Sequence, residues 1–194
     1  MLVWRRAAYL FALLCTAAAF GIAQAAPPVT LQADGTLQID GRSLRCGNVR
    51  NALDRRLPNL GISVPASRLL VINPSLLARE SKTVRLFVFN HECGHHHVGA
   101  SELNADCWAV HRGVQEGWLD KTGLGEVCRS FGGAPPTPTH PSGARRCTNL
   151  DRCFAVAEAE KAAPGRQRQV AAASAVAAPR LVSGPRLVRD GTLR

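Results

Sequence analysis

Alternating apolar and polar residues mark short β segments in the first half of the chain. The stretch from Thr30 to Ile39 alternates around Asp34-Gly35, which predicts a β-hairpin. The apolar run from Arg68 to Ile72 predicts a strand. Val49 to Leu57 lies between these two segments and is predicted to be a short helix that ends before Pro58.

Longer segments in the second half of the chain are predicted to be helical. There are four of them, with a Pro/Gly-rich loop from Gly132 to Gly143 before the last: Lys82 to His97, Glu102 to Gly117, Leu119 to Phe131 and Cys147 to Glu160. The expected fold class is therefore α+β, a small domain that is mainly helical and carries a small β element.

Candidate chemistry is concentrated in the first of these helices. Residues 91–95 read His-Glu-Cys-Gly-His, the His-Glu-x-x-His signature of zinc peptidases. Residues four apart share one helical face, so His91 and His95 can both direct a ring nitrogen at one Zn²⁺ ion. Glu92 is next to that face, where its carboxylate can accept a proton from a zinc-bound water. The motif therefore predicts a catalytic zinc site with Glu92 as the general base.

Glu102 is the predicted third zinc ligand, and a reversal of the chain is needed to bring it to the histidines. A straight helix would place Glu102 roughly 10 Å beyond His95, too far to share one ion. Gly99 can take the left-handed conformation that ends a helix, and Ser101 is a predicted N-cap for the next one. Asp106 is one turn after Glu102 on the same face, and we expect it to accept a hydrogen bond from a ligand histidine.

Three motifs in order, HECGH, ELNAD and THPSGARR, resemble those of the gluzincin metallopeptidases, and most of all the HtpX-type envelope peptidases. The resemblance covers about residues 84–147 and implies a zincin-like fold with three zinc ligands: His91, His95 and Glu102. It also implies that Glu92 is the general base and that His140 lies near the site and stabilises the oxyanion. The family has dozens of residues between the second histidine and the third ligand, whereas this chain has six.

By analogy with zinc peptidases, the strand Arg68 to Ile72, just before the active-site helix, is expected to pair with an extended substrate backbone. His96 and His97 are predicted to be exposed, to support the ligands from behind, or to serve as alternate ligands. His111 is predicted to lie on a helix surface.

The N-terminus has the order of a secretory signal peptide. Arg5 and Arg6 precede an apolar stretch from Ala7 to Ala23, and small residues follow it. Residues 1–25 are therefore predicted to be a signal peptide cleaved after Ala25 or Ala26, which leaves no stable membrane span. The alternative is an uncleaved membrane anchor. The expected location of the mature protein is periplasmic or secreted.

Removal of the signal peptide leaves six cysteines: Cys46, Cys93, Cys107, Cys128, Cys147 and Cys153. An even number of cysteines in an exported chain predicts disulfides, and six cysteines allow 15 connectivities. The alternative, zinc ligation by cysteine, is disfavoured because the chain contains no Cys-x-x-Cys pair.

The formal net charge of +10 belongs mainly to the C-terminal end. Residues 161–194 carry seven basic residues against Asp190 and are predicted to be a disordered basic tail rich in Ala, Pro and Arg, whereas residues 26–160 have a net charge of +2. Two interpretations of the tail are open: contact with an anionic envelope surface, or a solvated extension without a partner. Nucleic-acid binding is not expected, because no aromatic residues are interleaved with the basic ones.

Two functions are compatible with these patterns. The first is an exported zinc peptidase whose domain spans residues 26–160 and whose substrate is a protein or peptide, with peptidoglycan crosslinks left open as another amide of the same chemistry. The second is a non-catalytic, disulfide-stabilised module that binds zinc for structure and mediates interactions. Glu92 favours the enzyme, because a structural zinc site needs no base beside its ligands.

Overall fold

The computed structural model describes residues 27–163. The predicted signal peptide and almost all of the predicted basic tail lie outside these residues. Within them the fold is α+β, as predicted: two three-stranded sheets precede all five α-helices. No helix in this part of the chain is long and apolar enough to cross a membrane.

The first sheet is an antiparallel meander in the order β1-β2-β3. Its strands are β1 (Val29–Leu31), β2 (Leu37–Ile39) and β3 (Arg42–Leu44). The predicted hairpin is confirmed, because β1 and β2 pair around the Asp34-Gly35 turn, where Asp34 Oδ1 accepts a hydrogen bond from the Thr36 amide at 2.9 Å. The third strand, β3, was not predicted.

The second sheet is mixed, with the order β4-β6-β5. Its strands are β4 (Arg50–Leu53), β5 (Gly61–Val64) and β6 (Leu69–Ile72). The strand predicted at Arg68 to Ile72 is confirmed as β6. The helix predicted at Val49 to Leu57 is wrong: this segment contains β4, which pairs in parallel with β6. Strand β4 has only four residues, and its partner β6 is distant in sequence. The local pattern is therefore too short to distinguish this strand from a short helix.

The topology of the second sheet also corrects the expectation for the substrate-pairing strand. Strand β6 lies between β4 and β5 and is hydrogen-bonded on both sides. It therefore has no edge to offer to another chain. Strand β5, which was not predicted from the sequence, is an edge strand of this sheet.

Five helices complete the domain: α1 (Pro74–Leu77), α2 (Lys82–Val98), α3 (Glu102–Glu116), α4 (Lys121–Ser130) and α5 (Gly143–Ala162). Each of the last four begins with a side-chain cap: Ser81, Ser101, Asp120 and Ser142 each accept a hydrogen bond from a backbone amide of the first turn. The four predicted helices are thereby confirmed, with shifts at their ends.

Helix α2 lies between two hydrophobic clusters. One face, which includes Leu86 and Phe89, packs on the two sheets. The opposite face, which includes Val84 and Phe87, packs on α3, α4 and α5. The helix that carries the His-Glu-x-x-His motif is therefore held from both sides, so the side chains of the motif are presented from a firmly packed element.

Three disulfides join the six cysteines of the described residues, as the even count predicted. The pairs are Cys46–Cys93, Cys107–Cys153 and Cys128–Cys147. The first ties α2 to the segment between β3 and β4, the second joins α3 to α5, and the third joins α4 to α5. Three disulfides in one small domain are typical of proteins outside the cytoplasm.

Candidate metal centre

A tight turn between α2 and α3 brings the predicted ligands together. Gly99 ends α2 with a positive φ of 78°, which a side chain would disfavour. Its ψ of −158° differs from the left-handed helical cap that was predicted. Ser101 then caps α3, as predicted, by accepting a hydrogen bond from the Asn104 amide at 3.3 Å. The chain thus reverses within three residues, and Glu102 starts the returning helix.

The two helices approach closely at Gly94 and Ala105. A Cβ atom at Gly94 would lie 3.2 Å from both the Cα and the carbonyl oxygen of Ala105. The two helices can approach this closely because the motif has a glycine here and the Glu-x-x-Ala-Asp segment has an alanine. Because Ala105 lies one turn after Glu102, the same approach sets the Glu102 carboxylate beside the histidines.

His91, His95 and Glu102 form a group whose ligand atoms all lie within 4.8 Å of one another. The Nε2 atoms of His91 and His95 are 3.2 Å apart. Glu102 Oε2 lies 3.2 Å from His91 Nε2, and Glu102 Oε1 lies 3.5 Å from His95 Nε2. The structure therefore brings together the three residues that the sequence analysis named as metal ligands.

The other ring nitrogens have partners that orient both histidines. His91 Nδ1 lies 2.9 Å from Asp106 Oδ1, and His95 Nδ1 lies 2.9 Å from the carbonyl oxygen of Gly99. Both partners accept hydrogen bonds, so each Nδ1 carries the proton in the neutral ring. This tautomer leaves both Nε2 lone pairs free, as a metal ligand requires, and the two lone pairs converge on one point.

The residues fit a small cation at that point. Glu102 Oε2 is buried and has no hydrogen-bond partner, and two unprotonated nitrogens beside it would repel one another without a positive charge between them. Tetrahedral bonds of about 2 Å place ligand atoms roughly 3.3 Å apart, close to the measured separations of 3.2–3.5 Å. The donor set of two imidazoles and one carboxylate suits several divalent metals, zinc among them.

Asp106, which orients His91, is itself held by Arg146. The Asp106 side chain is fully buried, and the Arg146 guanidinium contacts both of its oxygens, at 2.9 Å through Nε and 2.5 Å through Nη2. Burial alone would raise the pKa of this carboxyl, but the hydrogen bonds from Arg146 and His91 lower it overall. Asp106 therefore remains a carboxylate, and the guanidinium is in turn stacked 4.1 Å over the Phe131 ring.

The electrostatics of the ligands show that the site favours a cation. Burial of the His91 ring lowers its pKa, but the hydrogen bonds that a protonated ring would donate to Asp106 and Glu102 outweigh that effect and raise the pKa to about 9. Burial raises the pKa of Glu102, but the hydrogen bond and the charge of a protonated His91 outweigh that effect and lower the pKa overall. In the absence of a metal, a proton on His91 supplies the positive charge that the two carboxylates require.

Glu92 lies where two cavities meet. Each cavity has a volume of about 530 Å³, and both are lined by His91, Glu92 and His140, with Asn59 and Gly61 from the β5 side. Burial raises the pKa of Glu92, and the charges of His91 and His95 partly offset this effect. A carboxylate with a raised pKa beside the candidate ligand group, in a cavity open to solvent, is suited to accept and return a proton.

His140 reaches the site from the loop between α4 and α5. Its Nε2 atom lies 3.5 Å from Glu102 Oε1, and its Nδ1 atom lies 2.8 Å from Thr139 Oγ1. The backbone amide of His140 donates to Thr137 Oγ1 at 2.9 Å, and its carbonyl accepts from the Thr137 amide at 2.8 Å. This small hydrogen-bonded turn presents Nε2 towards the Glu102 carboxylate.

The remaining histidines lie outside the ligand group. His97 stacks on the Trp108 ring with centroids 4.9 Å apart, and the exposed His111 pairs with Glu160. His96 is half-buried, its Nε2 has no hydrogen-bond partner, and burial lowers its pKa. His97 does lie near Cys46 and Cys93, but these sulfurs form a disulfide and are not thiolate ligands. The cysteine-ligand alternative thus has no support within residues 27–163.

Three contributors to the site were not predicted from the sequence. The edge strand β5 was missed, although Ile62 and Val64 alternate between Pro58 and Pro65 and could have indicated it. The close approach of α2 and α3 at Gly94 was also missed, because nothing in the motif itself indicates it. The contact of Arg146 with Asp106 joins residues 40 positions apart, and the only hint was the position of Arg146 in the third motif.

Comparisons of the chain with known proteins bring no identification: no protein family, no curated protein and no solved structure matches it.

Proposed function

We propose that this protein is an exported zinc metallopeptidase that hydrolyses peptide bonds with Glu92 as the general base. The observation that supports this most strongly is the convergence of His91, His95 and Glu102 beside Glu92 in a cavity open to solvent. A purely structural zinc site is closed by its ligands, whereas this group offers three and leaves room for a fourth. His91, His95 and Glu102 would hold the zinc ion, which when bound would supply a water of lowered pKa and a Lewis acid.

The chain's own residues account for the proton transfers. Glu92, with its raised pKa, accepts the proton of the attacking water and later delivers it to the leaving amine. His140 presents Nε2 to the cavity, because Nδ1 is engaged by Thr139. A donor at this position can stabilise the negative charge that develops on the carbonyl oxygen.

Strand β5 supports an extended peptide as the substrate. It pairs with β6 along one edge only, and Gly61, Ile62 and Ser63 line the cavity that contains His91 and Glu92. Edge strands accept extended chains through backbone hydrogen bonds. The second cavity extends beyond Glu92 and includes Leu60, Phe87 and Phe131, so it can accept an apolar side chain of that substrate.

Export is part of the proposal. The disulfides require an oxidising compartment, and the first 25 residues have the order of a signal peptide. N-terminal sequencing of the mature protein should give a chain that begins near Ala26. A chain that still begins at Met1 and fractionates with membranes would contradict export as a soluble protein.

The decisive experiment compares wild type with Glu92→Gln at equal zinc content. Both should bind zinc, because the three ligands are unchanged, but Glu92→Gln should hydrolyse unfolded proteins or peptides about 10²–10⁴-fold more slowly. Glu116→Gln, a change on the outer part of α3, is the matched control and should keep wild-type turnover. Equal turnover of wild type and Glu92→Gln would refute the mechanism.

The same assay tests the alternative, a non-catalytic zinc module. Peptides, unfolded proteins and peptidoglycan peptides should be offered to the zinc-loaded protein. Stoichiometric zinc without hydrolysis of any of these amides would favour the structural role.

A further inference from the structure

Gly61, the first residue of edge strand β5, lies directly against the side chain of Glu92. A Cβ atom at this position would be 2.9 Å from Glu92 Cγ, 3.0 Å from Ile72 Cδ1 and 3.3 Å from Val88 Cγ1. Non-bonded contacts of a Cβ atom below 3 Å are essentially never seen, so any side chain here requires a neighbour to move. Of the three neighbours, only Glu92 has a functional group at its free end.

The backbone does not explain the glycine. Gly61 is not among the glycines with positive φ, and it pairs with Ile72 in a regular antiparallel register. Its absent side chain therefore matters for space rather than for conformational freedom.

The contact is with the stem of Glu92 rather than with its carboxylate. Cγ is one bond from the carboxylate carbon, so a shift of Cγ is transmitted directly to the carboxylate oxygens. Helix α2 is packed on both faces, so a shift of the whole helix would disturb two hydrophobic clusters. A side chain at position 61 must therefore turn Glu92 to another rotamer or push strand β5 outward.

Gly61 also lies where the two cavities join, since it lines both of them together with His91 and Glu92. Added volume at this position would narrow the passage between the cavities as well as displace Glu92.

We propose that Gly61 is a positioning residue: its missing side chain lets strand β5 lie against α2 and sets the position of the Glu92 carboxylate relative to His91. This inference rests on the proposed function for its consequence in catalysis, but the placement of Glu92 can be measured without it.

The test is Gly61→Ala. A crystal structure of the zinc-free variant should show the Glu92 carboxylate displaced by about 1 Å or turned to another rotamer. In the zinc-loaded protein kcat should fall by ~10²-fold, the size of loss expected from such a misplacement. Zinc stoichiometry should stay unchanged, because no ligand is touched.

Two further variants separate this role from simple crowding. Gly123→Ala is a matched control: a Cβ there would lie 2.7 Å from Thr83 Cγ2, and Gly123 lines neither cavity. It should lower stability but keep wild-type kcat. Gly61→Ala/Ile72→Val removes the Ile72 Cδ1 contact, so it should regain stability lost to core crowding while kcat stays low.

An unmoved Glu92 carboxylate in Gly61→Ala, or full recovery of kcat in the double variant, would overturn the inference. A wild-type protein that binds zinc but cleaves no peptide would refute the proposed function instead. The position of Glu92 in the Gly61→Ala crystal would then still decide whether Gly61 positions it.

Discussion

Asp106 Oδ1 lies 2.9 Å from His91 Nδ1, at the end of a chain of contacts that begins at Arg146. The buried carboxylate holds the proton on Nδ1 and leaves Nε2 free to bind a metal. Both Asp106 oxygens are in contact with the guanidinium. The metal affinity of the site should therefore depend on residues that never touch the ion.

Asp106→Asn should weaken zinc binding by about 10–100-fold, the usual cost of removing the residue that accepts a hydrogen bond from a metal-binding histidine. The amide can present its NH₂ group to His91, which favours the wrong tautomer, and it no longer pairs with the Arg146 charge. Competition with a chromogenic chelator measures the affinity. Asp151→Asn, an exposed position on α5, should leave the affinity unchanged, and an equal affinity for Asp106→Asn would contradict the role assigned to Asp106.

Glu102→Ala should lose stoichiometric zinc, because only two ligands remain. The mature wild-type protein should bind about one zinc ion per chain when measured by elemental analysis. Glu116→Ala, at the other end of α3, serves as the control. If Glu102→Ala retains a full equivalent, the third ligand is another residue, with His140 the nearest candidate.

Zinc affinity should rise with pH across the neutral range. The pKa of His91 in the metal-free protein is about 9, so below that pH zinc must displace a proton from the ring. The apparent affinity should rise by up to about tenfold per pH unit until the pH approaches the His91 pKa. Calorimetry in buffers of different ionisation enthalpy should detect the released proton, and a flat affinity between about pH 7 and 9 would contradict the assignment.

The same pKa predicts the stability of the metal-free protein. The pKa of His91 is raised above its ordinary value of 6.5. Its contribution to the free energy of unfolding is therefore fully present below about pH 6.5 and is lost as the pH rises through about 9. Urea unfolding of the metal-free protein should show this loss of stability between about pH 6.5 and 9. His91→Gln should abolish the pH dependence, and a wild-type stability that rises over this range would contradict the prediction.

The Cys128–Cys147 disulfide should stabilise the loop that carries His140. The two cysteines are 19 residues apart and enclose His140 and Arg146. Replacing both by serine should cost about 3 kcal/mol of unfolding free energy, from the chain entropy of a loop of this length. Zinc affinity should fall as well, because Arg146 is adjacent to Cys147. A double variant with wild-type stability and affinity would show that the loop is held by its other contacts alone.

Thiol labelling under denaturing conditions provides an independent check on all three pairs. Protein isolated from the oxidising compartment should show few free thiols before reduction and six in the mature chain afterwards. Two or more free thiols per chain before reduction would contradict the pairing.

The α2–α3 region could be predicted because its information is local. The motif, the glycine at position 99 and the cap at Ser101 lie within a few residues of the ligands they arrange. Of the second sheet only β6 could be predicted, since β4 pairs with a strand almost 20 positions away and contains only four residues. Its pattern is too short to outweigh the helical prediction, and the position of β5 at the edge follows only from the strand order.

Contacts between distant segments account for what was missed in the site. Nothing around Gly61 indicates that a helix 30 residues later will lie against it. The pairing of the cysteines was likewise open among 15 arrangements, because it depends on how α2, α3 and α5 pack. The residues of the site were identifiable from their chemistry, whereas their support depends on the tertiary fold.

The short turn at Gly99 also bears on how the site assembles during folding. All three ligands and Asp106 belong to one helical hairpin that spans residues 91–106. Loop-closure entropy grows with the length of chain enclosed, so these groups meet at a small entropic cost. We therefore expect these contacts to form before the long-range ones. The hairpin alone therefore brings the candidate ligands together. The long-range contacts of Arg146 and β5 then support and enclose this group.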